Sequence, residues 1–123
     1  MRVWLDDSRP PPPGYDFVAR TAAAAIKMLA SGLVKEISLD HDLSLCGEHC
    51  IEDSSGKVRC VLGRPMLDFC PCPCHDTGYT VVCWMEENKV WPATVRIHTS
   101  NPVGRSKMEA AILASAPPGT YKR

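Results

Sequence analysis

The chain has 123 residues, 45% of them hydrophobic, and 14 basic residues balance 14 acidic ones at a formal net charge of zero. That length fits one domain around a single modest core. The charge balance excludes a protein that holds duplex nucleic acid chiefly by counterion release, and leaves room for a small phosphorylated ligand or an RNA end, where a few placed groups suffice.

The opening "MRVWLDDSR" carries charges where a secretory signal needs an apolar run, so a cytoplasmic location is expected. Its Val3 and Leu5 share one face and Trp4 takes the other, which predicts a short buried strand with Asp6 and Asp7 at its carboxyl end. "SRPPPPG" cannot propagate a helix and reads as a stiff extended loop. "YDFVART" follows as a second strand. Thr21 then caps a helix over "AAAAIKMLASG", with Ile26, Leu29 and Ala30 facing inward and Gly32 as its stop. This segment is too short to span a bilayer and carries Lys27.

"VKEISLDHDL" is the third strand, running into Asp40, His41 and Asp42. Residues 44–76 change character, with turn residues, cysteines and little helical period. "TGYTVVCWMEENK" resumes as an amphipathic helix capped by Thr77 or Thr80, with Val81, Trp84 and Met85 on its apolar face and Cys83 as an ordinary buried cysteine. "ATVRIHTS" is a fourth strand, with Val95 and Ile97 on one face, ending at His98. The last helix is expected from Gly104 or Arg105 to about Ala114, before prolines end it. Trp4, Trp84 and Trp91 are read as core and edge packing.

Strands alternating with helices imply a mostly parallel sheet covered on both faces. The expected fold is a three-layer α/β domain built on four strands, spanning 1–123, with residues 44–76 as an insertion within it. Ligands of such open sheets sit beyond the carboxyl ends of the strands. Those ends carry Asp6-Asp7, Asp40-His41-Asp42 and His98-Thr99-Ser100, so the topology predicts that three polar clusters share one crevice.

The segments "WLDDSRPPP", "ISLDHDL", "TGYTVVCWM" and "VRIHTSNPVGRSKM" resemble the cyclic-phosphate processing receiver-like family, a truncated variant of the phosphoacceptor receiver. The resemblance implies a truncated receiver, flavodoxin-like topology and action on cyclic phosphates, either RNA ends or cyclic nucleotides. It marks Asp6, Asp7, Arg9, Asp40, His41, Asp42, His98 and Asn101, with the hydroxyl of Thr99 where the family often has serine. The cysteine-rich stretch is an insertion relative to that pattern.

Three aspartates in one place, Asp6, Asp7 and Asp40, repel one another unless protonated or neutralised. A hard divalent cation such as Mg²⁺ relieves this through oxygen ligands and keeps positions open for phosphate. Arg9 can grip a phosphate with its planar fork. His41 and His98 are the natural proton handlers, since an unperturbed imidazole titrates near neutral pH, and could divide the two proton transfers that opening a cyclic phosphate requires, with the acid and base unassigned. Asp42, Thr99, Ser100 and Asn101 are candidate substrate contacts, and equally the caps of the adjoining loop and helix.

Six of the seven cysteines lie between Cys46 and Cys74. The odd total and the lack of an export signal argue for metal rather than a disulfide framework. Cys46, His49, Cys50, Cys60, Cys70, Cys72, Cys74 and His75 could fill one or two tetrahedral zinc sites of structural role. "IEDSSGKVRC" looks like a hairpin turning at Asp53–Gly56, and the insertion is expected to overhang the crevice as a lid or substrate-selecting wall.

The reading is therefore a phosphodiesterase-type hydrolase acting on a cyclic nucleotide or RNA terminus, with no membrane or duplex DNA partner. The alternative is a non-catalytic module that binds a phosphorylated ligand or a partner protein through the same pocket.

Overall fold

In a computed structural model, which describes residues 1–43, 54 and 76–123 together with the backbone of 50–52 and 58–60, the apolar alternation of the strand segments becomes one parallel sheet. The strands are β1 (Arg2–Leu5), β2 (Phe17–Ala19), β3 (Glu36–Leu39) and β6 (Thr94–Ile97), in the order β2-β1-β3-β6. Between β3 and β6 in the chain, β4 (Cys50–Glu52) and β5 (Val58–Cys60) pair antiparallel as a separate hairpin. The helices are α1 (Ala22–Ala30), α2 (Gly78–Asn88) and α3 (Pro102–Ser115). This is the truncated receiver topology.

Register explains which face is the core. Val3 pairs with Ile37 and Ile37 in turn with Val95, and Leu5 pairs with Leu39 and Leu39 with Ile97, so six apolar side chains share one face. All six are buried in one cluster with Ala22, Ala25 and Leu29 of α1, Val81, Val82 and Met85 of α2, and Met108 and Ile112 of α3. Burying such side chains is the main stabilising term, worth about 1.5–3 kcal/mol for each large one. The helices thus supply one layer of cover. The opposite face carries Arg2, Trp4, Glu36, Ser38 and Arg96, and its cover comes from the loop between β1 and β2. There Tyr15 packs edge-on against Trp4, and Arg2 lies over the Tyr15 ring while pairing with Glu36 at 2.7 Å.

Capping follows the expected residues with two adjustments. Thr21 caps α1 by accepting from the Ala24 N–H, and Thr77 caps α2 while the Thr80 hydroxyl accepts from the Thr77 N–H. Ala30, expected to face inward, is exposed, because the buried stripe at 22, 25 and 29 leaves it on the flank of the last turn. Helix α3 starts at Pro102 rather than at Gly104 or Arg105. Asn101 caps it by accepting from the Gly104 N–H at 3.0 Å, and Pro102 sits where its missing N–H costs nothing.

Residues Ser44–His75 form a compact unit distinct from that of Met1–Leu43 with Asp76–Arg123. Its hairpin sets Cys50 opposite Cys60 and Glu52 opposite Val58, on either side of the expected turn. The side chains of the proposed zinc ligands Cys46, His49, Cys50, Cys60, Cys70, Cys72, Cys74 and His75, and the lid expectation, lie outside the described residues. Among the described residues, no helix is long and apolar enough to cross a membrane.

Candidate functional site

Strand β1 delivers Asp6 into the protein, fully buried one residue past Leu5. A buried carboxylate is costly unless donors surround it. Asp6 has four: Oδ1 accepts from the Ser8 and Arg9 backbone N–H groups, both at 2.9 Å, and Oδ2 accepts from Arg9 Nε at 3.1 Å and His98 Nε2 at 3.0 Å. Burial pushes its proton affinity up, but these hydrogen bonds and the Arg9 charge outweigh it and hold the carboxyl below the ordinary aspartate value. Arg20 also donates to the Asp6 backbone carbonyl.

His98 follows β6 and is the second fixed part. Its Nε2–H donates to Asp6, so in the neutral ring Nδ1 is the acceptor, and the Ser38 hydroxyl lies 2.8 Å from it. One ring face stacks on Trp4, with centroids 3.7 Å apart and planes within 8°. Burial is the dominant influence on His98 and lowers its proton affinity against the opposing pull of Asp6. Both nitrogens and one face of this ring are engaged inside the protein.

Asp40, at the end of β3, is the third. Its Oδ1 accepts from the His41 backbone N–H at 2.8 Å and lies 3.6 Å from Arg9 Nη2. Burial first, and the charge of Asp6 second, raise its proton affinity above the ordinary value despite hydrogen bonds from Thr99 and His41. Asp6, Asp40 and His98 each present a ligand-type atom within 4.8 Å of the others. Arg9 ties them together, its Nη2 also donating to the His98 carbonyl oxygen at 3.1 Å. Half of the Arg9 side chain remains open to water.

A second cluster surrounds the start of α3. His41 Nδ1 lies 2.9 Å from Asp42 Oδ1, and Asn101 Nδ2 donates to both Asp42 oxygens at 3.2 and 3.3 Å. The hydrogen bond from His41 is the main cause that keeps the Asp42 carboxyl below its usual value. The His41 ring lies over Gly104, where any side-chain carbon would collide with it. Gly78 is equally constrained, since a side chain there would strike the Asp40 carbonyl.

The structure therefore brings Asp6, Arg9, Asp40, His98 and Thr99 into one cluster, and His41, Asp42 and Asn101 into another beside the α3 cap. Asp7 is half-buried and stands outside the Asp6–Asp40–His98 group, and Ser100 is exposed. Sequence reasoning missed Ser38, Gly104, Arg20 and Arg105, which donates to the Ile97 and Thr99 carbonyls. Ser38 had a signal: a hydroxyl between Ile37 and Leu39 in a buried strand needs a partner on the opposite face. The two arginines and Gly104 carried none, because only the folded path of the chain brings their partners near.

No curated protein and no solved structure matched the chain. The family model of the cyclic-phosphate processing receiver domain matches residues 1–114, a span that takes in all four parallel strands, the polar residues at their carboxyl ends and nearly all of α3. The chain belongs to the cyclic-phosphate processing receiver domain family.

Proposed function

We propose that this pocket hydrolyses a cyclic phosphate ester of a nucleotide or RNA terminus to the ring-opened phosphate monoester. The observation that carries the reading is the half-exposed Arg9 guanidinium, anchored by buried Asp6 and set 3.6 Å from Asp40, whose proton affinity burial raises. Arg9 receives the phosphate oxygens through its outer edge. Water attacks phosphorus, a new P–O bond forms, and the ring P–O bond breaks to release a ribose hydroxyl. The water proton goes to a base and the leaving oxygen takes one from an acid.

Two groups suit those transfers. His41, donating Nδ1–H to Asp42, keeps a basic lone pair on Nε2 and is assigned the base. Asp40, with raised proton affinity, is assigned the acid. His98 is assigned a positioning role, holding Asp6 and through it Arg9. A second reading, recognition of a phosphorylated ligand without turnover, draws on the engagement of both His98 nitrogens.

The test is a panel of 2′,3′- and 3′,5′-cyclic nucleotides and oligoribonucleotides ending in a cyclic phosphate, followed by phosphorus NMR. At least one member should be opened, and Asp40→Asn and His41→Ala should each lower kcat by about a hundredfold with folding retained. A panel left intact overturns the hydrolytic reading, and binding of one member without turnover supports the recognition reading.

A further inference from the structure

Asp6 and Asp40 sit where a receiver-type pocket invites a divalent cation, and His98 adds a third ligand-type atom within 4.8 Å. On Asp6 and His98 the lone pairs that such an ion would need are already used. Asp6 Oδ1 holds two backbone N–H groups that shape the turn after β1, and Oδ2 holds Arg9 Nε and His98 Nε2. A histidine ligates through a lone pair, yet His98 turns a protonated Nε2 to Asp6 and its Nδ1 to Ser38. An ion entering here would have to break the turn, evict a guanidinium, or flip a ring clamped against Trp4.

Positive charge is also already present. The Arg9 guanidinium lies 3.1 Å from Asp6 Oδ2, 3.6 Å from Asp40 Oδ1, and donates to the His98 carbonyl oxygen at 3.1 Å. The Arg9 backbone N–H is bound to the same carboxylate, so the residue is held from both ends. We propose that Arg9 is the built-in cation of this pocket, its guanidinium neutralising Asp6 and Asp40 in place of a divalent metal ion. One guanidinium against two carboxylates leaves a unit of negative charge uncompensated, and the charge of Asp6 is, after burial, the second cause of the raised proton affinity of Asp40. The inference concerns the resting pocket and stands whether or not a cyclic phosphate is turned over there.

The experiment titrates the full chain with Mn²⁺, in competition with Mg²⁺, and follows paramagnetic broadening of the Trp4 and His98 side-chain NMR signals. Mn²⁺ prefers oxygen ligands and is a poor match for the thiols of residues 44–75. The wild-type signals should stay sharp at millimolar metal. Arg9→Ala should expose the seat and bind Mn²⁺ about tenfold or more tightly than wild type, while Arg9→Lys should behave as wild type. Arg9→Gln replaces the alanine variant if that one fails to fold. Broadening in the wild type that Asp40→Asn abolishes would overturn the proposal. So would sharp signals in both wild type and the charge-free variant, because the pocket would then be no cation seat at all.

Discussion

His98 sits between a carboxylate and a hydroxyl with Trp4 against its face, and burial holds its proton affinity below the ordinary histidine value of 6.5. That arrangement has a thermodynamic signature. Near pH 6.5 the unfolded chain takes up a proton that the folded ring refuses. The unfolded state then binds more protons, so stability rises with pH through this range and falls on acidification. Denaturant titrations from neutral to mildly acidic pH should show this loss, and His98→Gln should flatten the profile. An unchanged slope in the variant would mean that the ring titrates normally in the folded protein.

At the scale of elements, the contact between α3 and the end of β3 is set by the absence of a side chain at Gly104. Overpacking a close contact costs about 1–3 kcal/mol, and Gly104→Ala should lose stability in that range by chemical denaturation. In a His41→Ala background the same substitution should be nearly neutral, since the ring it strikes is gone. Equal costs in both backgrounds would refute the steric account. The strands and helices themselves were legible: alternation in "RVWL" and "EISL", caps at Thr21 and Thr77, and the apolar stripe of α2 all act locally. The start of α3 was legible only in part: Asn101 was among the candidate caps, but the helix was expected from Gly104 or Arg105, whereas it begins at Pro102 directly after Asn101. Convergence of the strand-end clusters was legible through topology. Which atom each side chain engages was not, since the bonds joining Asp6 to His98 and Asp42 to Asn101 span 92 and 59 residues.

For the whole molecule, the division into two units separates two chemistries. Met1–Leu43 with Asp76–Arg123 is held by an apolar core, whereas Ser44–His75 is rich in cysteine and histidine. A hairpin that faces Cys50 with Cys60, in a segment with four more cysteines and two histidines, is expected to hold structural zinc. Elemental analysis of protein prepared without added metal should find zinc at one or two equivalents per chain. Rapid alkylation of all six clustered cysteines in the native protein would refute this. The connection from β1 to β2 has a broader consequence. Where related α/β units run a helix back across the sheet, this chain sends eleven residues, Asp6 to Asp16, and the same stretch seals the second face and holds Arg9. Lining and scaffold are thus one piece of chain: wear in the segment that shelters Trp4 is at once damage to the pairing of Arg9 with Asp6, and neither can be retuned without the other.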